Sequence, residues 1–159
     1  EKRLRDATLR LAQGTEFAKR MVNAGRLSTP TAYDTPLSTP DTADWEGRAR
    51  PGTALVDAPL TDAAGTPCFL SDAFIGTGCT FTLLTCGPAA PDLAPEGVAV
   101  LNFGGPGGYT DTTGAFAQRW GTRPGSAYLL RPDGYVAARF HAPTRGAIAA
   151  ALSRACGLA

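Results

Sequence analysis

One cysteine lies where thiol chemistry could be carried out, at the end of a strongly predicted strand. The strand reads T-F-T-L-L-T-C over residues 80–86, and Cys86 is followed by Gly87, Pro88 and Ala89. Disulfide exchange needs a thiolate stabilised near a helix N-terminus and a second thiol that resolves the mixed disulfide. Ala89 stands where a C-x-x-C pair would have its second cysteine. The sequence therefore favours a strand-end cysteine without redox function, with a monothiol role for Cys86 as the alternative.

The other cysteines form no metal or dithiol pattern. Cys68, Cys79, Cys86 and Cys156 contain no C-x-x-C pair, and His141 is the only histidine. Zinc sites need several such ligands at short spacings, so no metal is expected, and the cysteines are interpreted as free thiols in a reducing compartment. His141 has no cysteine or serine nearby in the sequence to activate and receives no catalytic role.

A glycine-rich loop follows a second predicted strand and reads G-G-P-G-G over residues 104–108. A phosphate cradle needs consecutive backbone N–H groups and usually a Lys or Arg. Pro106 removes one donor, and no basic residue follows before Arg119. The loop is therefore interpreted as a plain glycine-rich connection, and the dinucleotide fingerprint G-x-G-x-x-G does not occur in the sequence. No cofactor-binding residue is predicted.

The clearest structural signal is a β-hairpin with the sequence A-Y-L-L-R-P-D-G-Y-V-A-A-R-F over residues 127–140. Pro132 presets φ at the second turn position and Gly134 can adopt a positive φ, which predicts a type I turn closing into a glycine bulge. Consecutive apolar residues in the strands 126–131 and 135–140 are typical of strands covered on both faces, which requires helices on each side. Turn preference or pairing with acids accounts for the charged residues here, Arg131, Asp133 and Arg139.

The remaining elements alternate in type along the chain. They are a hairpin over 58–61 and 67–70, a helix over 71–74, strands over 80–86 and 97–103 joined by a crossover over 88–96, a helix capped by Thr110, Asp111 or Thr112 that ends at Trp120, and a last helix from Pro143 to about Cys156. This order predicts an α/β domain with a mixed central sheet and helices on both faces.

Three segments differ in composition. Residues 1–26 have apolar residues at helical spacing and begin inside the helix, which predicts the terminal helix of a missing upstream domain. Its apolar stripe is interpreted as a docking face; a membrane-surface helix is the rival, favoured by the basic residues and weakened by three acidic ones. Residues 27–51 are rich in Thr, Pro and Asp and predict an extended linker lying against a surface, and residues 52–159 predict the compact domain.

Composition excludes several classes of function. A net charge of +1 with 18% charged residues argues against a nucleic-acid-binding protein, for which a basic face is expected. No stretch has the roughly 18 apolar residues of a membrane span, and the charged start does not lead into a signal-peptide apolar region. A cytoplasmic protein without a membrane partner is expected.

The predicted order of elements resembles a thioredoxin-like fold, and C-G-P-A at residues 86–89 resembles the C-G-P-C motif of thioredoxin with its second cysteine replaced. Three stretches are similar to the C-terminal domain of FAD-dependent aromatic hydroxylases, the group of phenol hydroxylase and 3-(3-hydroxyphenyl)propionate hydroxylase. These are R-P-G-T-A-L-V-D-A-P-L at 50–60, T-F-T-L-L at 80–84 and L-L-R-P-D-G-Y-V-A-A-R at 129–139. Upstream, F-A-K-R-M-V-N-A-G-R-L-S at 17–28 is similar to the helix that leaves the flavin domain in such enzymes.

The resemblance implies a parent enzyme that oxidises NAD(P)H, reduces FAD, activates oxygen and hydroxylates a phenolic ring. It implies that an upstream flavin-binding domain of the same chain handles the cofactors and the substrate, so this piece has no catalytic residue of its own. A structural or assembly role, with a homodimer as one form, is expected. An interaction domain whose parent is not a hydroxylase, and a monothiol redox protein using Cys86, remain as alternatives.

Overall fold

The computed structural model describes residues 3, 6, 7, 10, 11, 14, 15, 31–88 and 91–158. The chain divides into two compact units, Glu1–Pro30 and Thr31–Ala159. In the first unit the described residues from 3 to 14 are helical, and the Thr15 N–H donates to the Leu11 carbonyl at 3.1 Å. The predicted extension of this helix to residue 26, and most of its apolar stripe, lie outside the described residues.

The second unit contains a small hairpin and a larger sheet. The hairpin pairs β1 (Pro59–Thr61) with β2 (Pro67–Phe69), and the larger sheet contains β3 (Thr82–Cys86), β4 (Ala99–Phe103), β5 (Ala127–Leu130) and β6 (Val136–Phe140). The helices are α1 (Leu70–Gly76), α2 (Ala115–Trp120) and α3 (Arg145–Ala155), with a 3₁₀ turn at Pro91–Leu93.

The larger sheet is mixed, with strand order β4-β3-β5-β6. β3 runs parallel to β4 and antiparallel to β5, which in turn pairs antiparallel with β6. On one face Leu84 and Leu130 pack with side chains of α1 and α2, and on the other Leu129 packs with Ala151 of α3. This arrangement confirms the predicted thioredoxin-like α/β fold and explains the consecutive apolar residues, since successive side chains of a strand enter opposite cores.

The β5–β6 hairpin has the predicted turn. The Gly134 N–H donates to the Arg131 carbonyl at 2.9 Å, and the Arg131 N–H donates to the Tyr135 carbonyl at 2.8 Å. Gly134 has a φ of 80°, and the register shifts at Leu129/Leu130, as expected of a bulged hairpin.

Two of the predicted helix starts, those of α2 and α3, are wrong by a few residues. α3 starts at Arg145 and not at the predicted Pro143, because Thr144 is its N-cap and accepts the Ala147 N–H with its hydroxyl at 3.2 Å. α2 starts only at Ala115, because Gly114 adopts a left-handed conformation with a φ of 71°. Asp111 still supplies an acceptor, since its Oδ2 accepts the Ala117 N–H at 2.8 Å.

Residues 31–51, here called the belt, lie along the outer edge of β6. The Thr39 N–H donates to the Ala137 carbonyl at 2.8 Å, and the Gly52 N–H donates to the Val136 carbonyl at 2.8 Å. The Val136 N–H in turn donates to the Thr53 carbonyl at 2.9 Å. The belt and the residues just after it therefore satisfy main-chain groups of β6 that would otherwise be exposed at a sheet edge. Within the described part of the chain, no helix has the length and apolar character needed to cross a membrane.

Candidate functional site at Cys86 and the belt

The end of β3 holds Cys86 in a closed environment. The Cys86 side chain is 8% exposed. Its N–H donates to the Ser126 carbonyl at 2.9 Å, and its carbonyl accepts the Gly125 N–H at 2.6 Å. The next residue is fixed as well, since the Gly87 N–H donates to the Phe103 carbonyl at 2.7 Å. The loop before β5 thus covers the position where a reactive thiol would need access.

Burial also opposes ionisation of this thiol. It raises the pKa of Cys86 to about 11, outweighing the opposite effect of hydrogen bonds with Ser126 and Thr122. Reactive cysteines have the reverse property, a pKa lowered by a helix N-terminus or a nearby cation. The next described helical element along the chain is the single 3₁₀ turn Pro91–Leu93. At neutral pH Cys86 is therefore a protonated, buried thiol.

The raised pKa of Cys86 makes the stability of the chain sensitive to alkaline pH. The unfolded chain ionises this thiol above a pKa of about 9, whereas the folded chain retains the proton up to about 11. Between these values we expect the thiol to lower the free energy of unfolding by up to about 1.4 kcal/mol per pH unit. Urea unfolding from pH 8 to pH 11 should show a shallower decline for Cys86→Ala than for the unchanged chain. Parallel declines would contradict this prediction.

The glycine-rich loop folds back on its own strand. The Gly104 N–H donates to the Tyr109 carbonyl at 3.0 Å, and the Tyr109 N–H donates to the Asn102 carbonyl at 2.8 Å. Gly108 lies so close to β4 that an added Cβ would be 2.5 Å from the Asn102 carbonyl oxygen. A side chain does not fit at this position, which accounts for the glycine. Among the described residues, no group of three or more His, Cys, Asp or Glu side chains could hold a metal ion.

A cluster of aromatic and charged side chains fixes the belt to β6. The Arg139 side chain is only 6% exposed and donates from Nε and Nη2 to the two carboxylate oxygens of Asp41, at 2.8 and 2.6 Å. Its Nη1 donates to the Ala49 carbonyl at 2.9 Å, and its guanidinium carbon lies 4.7 Å from the Trp45 ring centroid. His141 stacks on the same Trp45 ring at 3.8 Å. Both Arg139 and His141 therefore contact the belt, and these contacts give them a structural role.

The two hairpin arginines have different surroundings. Arg131 pairs with Asp133 within the turn at 2.6 Å, where both side chains are partly exposed. Arg139 instead pairs with Asp41, 98 residues away in sequence. The expectation of an acidic partner holds for both, and Arg139 is the more buried of the two, with a side chain 6% exposed against 28% for Arg131. The sequence contains no signal that joins Asp41 or Trp45 to this strand.

Replacing Arg139 with lysine should loosen the belt. Lysine keeps the charge but cannot make the paired bonds to Asp41 together with the bond to the Ala49 carbonyl, so we expect a loss of about 1–2 kcal/mol in the free energy of unfolding. Arg131→Lys is the matched control, because its exposed local pair should contribute less than about 0.5 kcal/mol. Urea unfolding of both variants measures the difference. Equal small losses would show that the Arg139 contacts do not hold the belt.

The chain was compared with protein-family models, with curated protein sequences and with solved structures. No protein-family model and no curated protein sequence matches the chain. Solved structures do match, among them the flavin-dependent monooxygenase PieE, determined with FAD and substrate, at 30% identity and a TM-score of 0.62. That match covers 86% of this chain and 27% of PieE. Aklavinone-11 hydroxylase, determined with FAD and aklavinone, matches at 25% identity and a TM-score of 0.63, covering 79% of this chain and 26% of the hydroxylase.

These matches fit a C-terminal domain of FAD-dependent hydroxylases. The resemblance inferred from residues 50–60, 80–84 and 129–139 is confirmed at the level of this enzyme group. The chain spans about a quarter of the length of the two structures, at 27% and 26%. The chain therefore matches one part of each of these two larger structures.

Proposed function

We propose that this chain is the redox-inactive, structural C-terminal domain of an FAD-dependent, NAD(P)H-using aromatic-ring monooxygenase. The observation that carries the proposal is the similarity to PieE, at 30% identity over 86% of this chain. Aklavinone-11 hydroxylase supports the same class of enzyme from a second structure. In this proposal the parent enzyme reduces FAD with NAD(P)H and places a hydroxyl group on a phenolic ring.

The domain would act as a folded partner of an upstream flavin-binding domain in the same chain. We divide the chain into the terminal helix of the upstream flavin domain at 1–26, the extended linker at 27–51 and the thioredoxin-like domain at 52–159. A cytoplasmic location and assembly through this domain, including a homodimer, belong to the same proposal. None of these roles requires a catalytic residue in the present sequence.

The geometry of Cys86 supports the redox-inactive part of the proposal. The thiol is buried, burial raises its pKa to about 11, and the loop 123–126 closes over the end of β3. Thiol–disulfide exchange needs an accessible thiolate and, for the dithiol reaction, a resolving thiol. Ala89 replaces the second cysteine of the C-x-x-C spacing.

The test is made on the full-length gene product. We expect a yellow protein with a flavin absorption spectrum, whose NAD(P)H consumption rises with one member of a panel of phenols, hydroxybenzoates, hydroxyphenylpropionates and aklavinone. In that protein Cys86→Ala should leave turnover unchanged. A colourless product without NAD(P)H oxidation would overturn the proposed parent enzyme.

The monothiol alternative is tested separately with iodoacetamide and mass spectrometry. Cys79 and Cys156 are exposed and should be labelled first, whereas Cys86 should be labelled only after unfolding. Rapid labelling of Cys86 in the folded chain, lost in Cys86→Ser but retained in Cys156→Ser, would support the monothiol function instead.

A further inference from the structure

The two edge strands of the larger sheet differ in how far their outward main-chain groups are hydrogen-bonded. The outer edge of β6 is covered by hydrogen bonds from Thr39, Gly52 and Thr53. The outer edge of β4 is covered only at its C-terminal half, where the Tyr109 N–H donates to the Asn102 carbonyl at 2.8 Å. The main-chain groups of Val100 have no hydrogen-bond partner outside the sheet among the described residues.

The register shows that these groups of Val100 point away from the sheet. The Ala99 N–H donates to the Phe81 carbonyl at 2.9 Å, so Ala99 faces β3, and Asn102 faces Tyr109. Because alternate residues of an edge strand in a parallel pair face the neighbour, Val100 faces outward with Asn102. Val100 is also 42% exposed, so a partner can reach this residue.

The gap between β4 and β1 is one strand wide at Tyr109 and Thr110. The segment at Tyr109 and Thr110 lies between two strands: Tyr109 bonds to β4, and Thr110 exchanges two hydrogen bonds with Thr61 of β1, at 2.8 and 2.9 Å. A groove of about 430 Å³ adjoins Tyr109, with Val100 and Leu101 on the β4 side. Across the groove lie residues of the β1–β2 hairpin and α1, namely Asp62, Cys68, Asp72, Ala73, Gly76 and Thr77. The segment at Tyr109 and Thr110 thus lies beside the C-terminal half of β4, and the groove adjoins this segment at Val100.

The charged residues that line the groove are both acidic. Asp62 uses Oδ1 to accept the N–H groups of Ala64 and Thr66, and Asp72 uses Oδ2 to accept the Phe69 N–H at 3.0 Å. For each carboxylate the second oxygen makes no hydrogen bond to the described residues. The groove therefore combines free strand-edge groups, an exposed valine and two negative charges.

We propose that this groove binds an extended, basic peptide segment, which pairs with Val100 as an added strand and places Lys or Arg side chains near Asp62 and Asp72. Main-chain pairing would provide affinity, and the charges would select the partner. The proposal does not depend on the nature of the parent enzyme.

The probe is the blocked peptide acetyl-Thr-Val-Lys-Val-Lys-Val-Thr-amide, titrated into the ¹⁵N-labelled 159-residue chain and followed by NMR. We expect shift changes at Val100, Asp62 and Asp72 and at least a tenfold slowing of Val100 amide exchange at saturation. Two control peptides should bind at least tenfold more weakly: one with Glu in place of both Lys, and one N-methylated on the edge that would pair. No binding at millimolar peptide, or equal binding of the Lys and Glu peptides, would overturn the proposal.

Variants of the chain separate the contribution of main-chain pairing from that of the two charges. The double variant Asp62→Asn, Asp72→Asn removes both charges but keeps the carbonyl oxygens that accept hydrogen bonds in the turn and at the helix start. Its affinity for the Lys peptide should be about three- to tenfold lower. Val100→Pro removes only an outward N–H and should abolish binding. If V100P does not fold, the N-methylated peptide tests the same strand pairing through its other bond, from a peptide N–H to the Val100 carbonyl. Unchanged affinity in the double variant would exclude charge selection by these aspartates.

Discussion

Gly121→Ala is expected to detach the belt and to lower the free energy of unfolding by about 3 kcal/mol. Gly121 ends α2 with a φ of 66°, and a Cβ there would overlap the Glu46 carbonyl oxygen of the belt. Main chain packs on main chain at this point, since the Arg48 N–H donates to the Arg119 carbonyl at 2.6 Å. No rotamer change can relieve a clash with backbone, so the belt must move away and lose these contacts.

Gly114→Ala is the matched control for this change. Gly114 precedes α2 with a φ of 71°, close to that of Gly121, but an added Cβ would meet nothing within 4 Å. Both substitutions therefore introduce the same left-handed strain, about 1 kcal/mol, and only Gly121→Ala introduces the clash. The difference between the two isolates the packing of the belt.

Two measurements test the pair of variants. Urea unfolding gives the loss of stability. Limited trypsin digestion reports on the belt, because the main chain on both sides of the Arg48–Ala49 bond is held by hydrogen bonds from Arg48 and Ala49 to the Arg119 carbonyl and must leave them to enter the protease. We expect cleavage after Arg48 to accelerate in Gly121→Ala and to stay unchanged in Gly114→Ala. Equal losses of stability, with equal cleavage rates, would show that the close approach at Gly121 is not required.

Features specified by neighbouring residues could be predicted from the sequence. The β5–β6 turn follows from Pro132 and Gly134, whose backbone preferences act within four residues. The helices on both faces follow from the unbroken apolar runs of these strands, because successive side chains enter two different cores. Helix starts were less accurate, since the cap of α3 at Thr144 and the left-handed Gly114 depend on local geometry that several nearby residues could provide.

The belt contacts could not be predicted, because they join residues far apart in sequence. Trp45 stacks with His141, and Asp41 pairs with Arg139 across 98 residues. In the sequence the belt has only scattered large apolar residues and no periodicity, so nothing indicates which surface it covers. For Cys86 the missing second cysteine was visible in the sequence, whereas its burial and the resulting rise of its pKa required the folded loop before β5.

Trp120→Ala should have the largest effect on stability, a loss of about 3–5 kcal/mol. The Trp120 side chain is fully buried, with Phe116 at 5.6 Å and Tyr128 at 5.0 Å between ring centroids. Its Nε1–H donates to the Val56 carbonyl at 2.7 Å, which ties α2 to the segment before β1. Alanine leaves a cavity the size of an indole and an unpaired carbonyl in the larger of the two cores.

Trp120→Phe separates the ring from its hydrogen bond. Phenylalanine fills most of the space but leaves the Val56 carbonyl unpaired, so we expect an intermediate loss of about 1–3 kcal/mol. The Tyr128 hydroxyl donates to the main-chain carbonyl of residue 120 at 2.7 Å and should keep this bond in both variants. Circular dichroism during urea unfolding measures the losses without relying on tryptophan fluorescence. A loss below about 1.5 kcal/mol for Trp120→Ala would mean that the core collapses around the site and that Trp120 is not its main support.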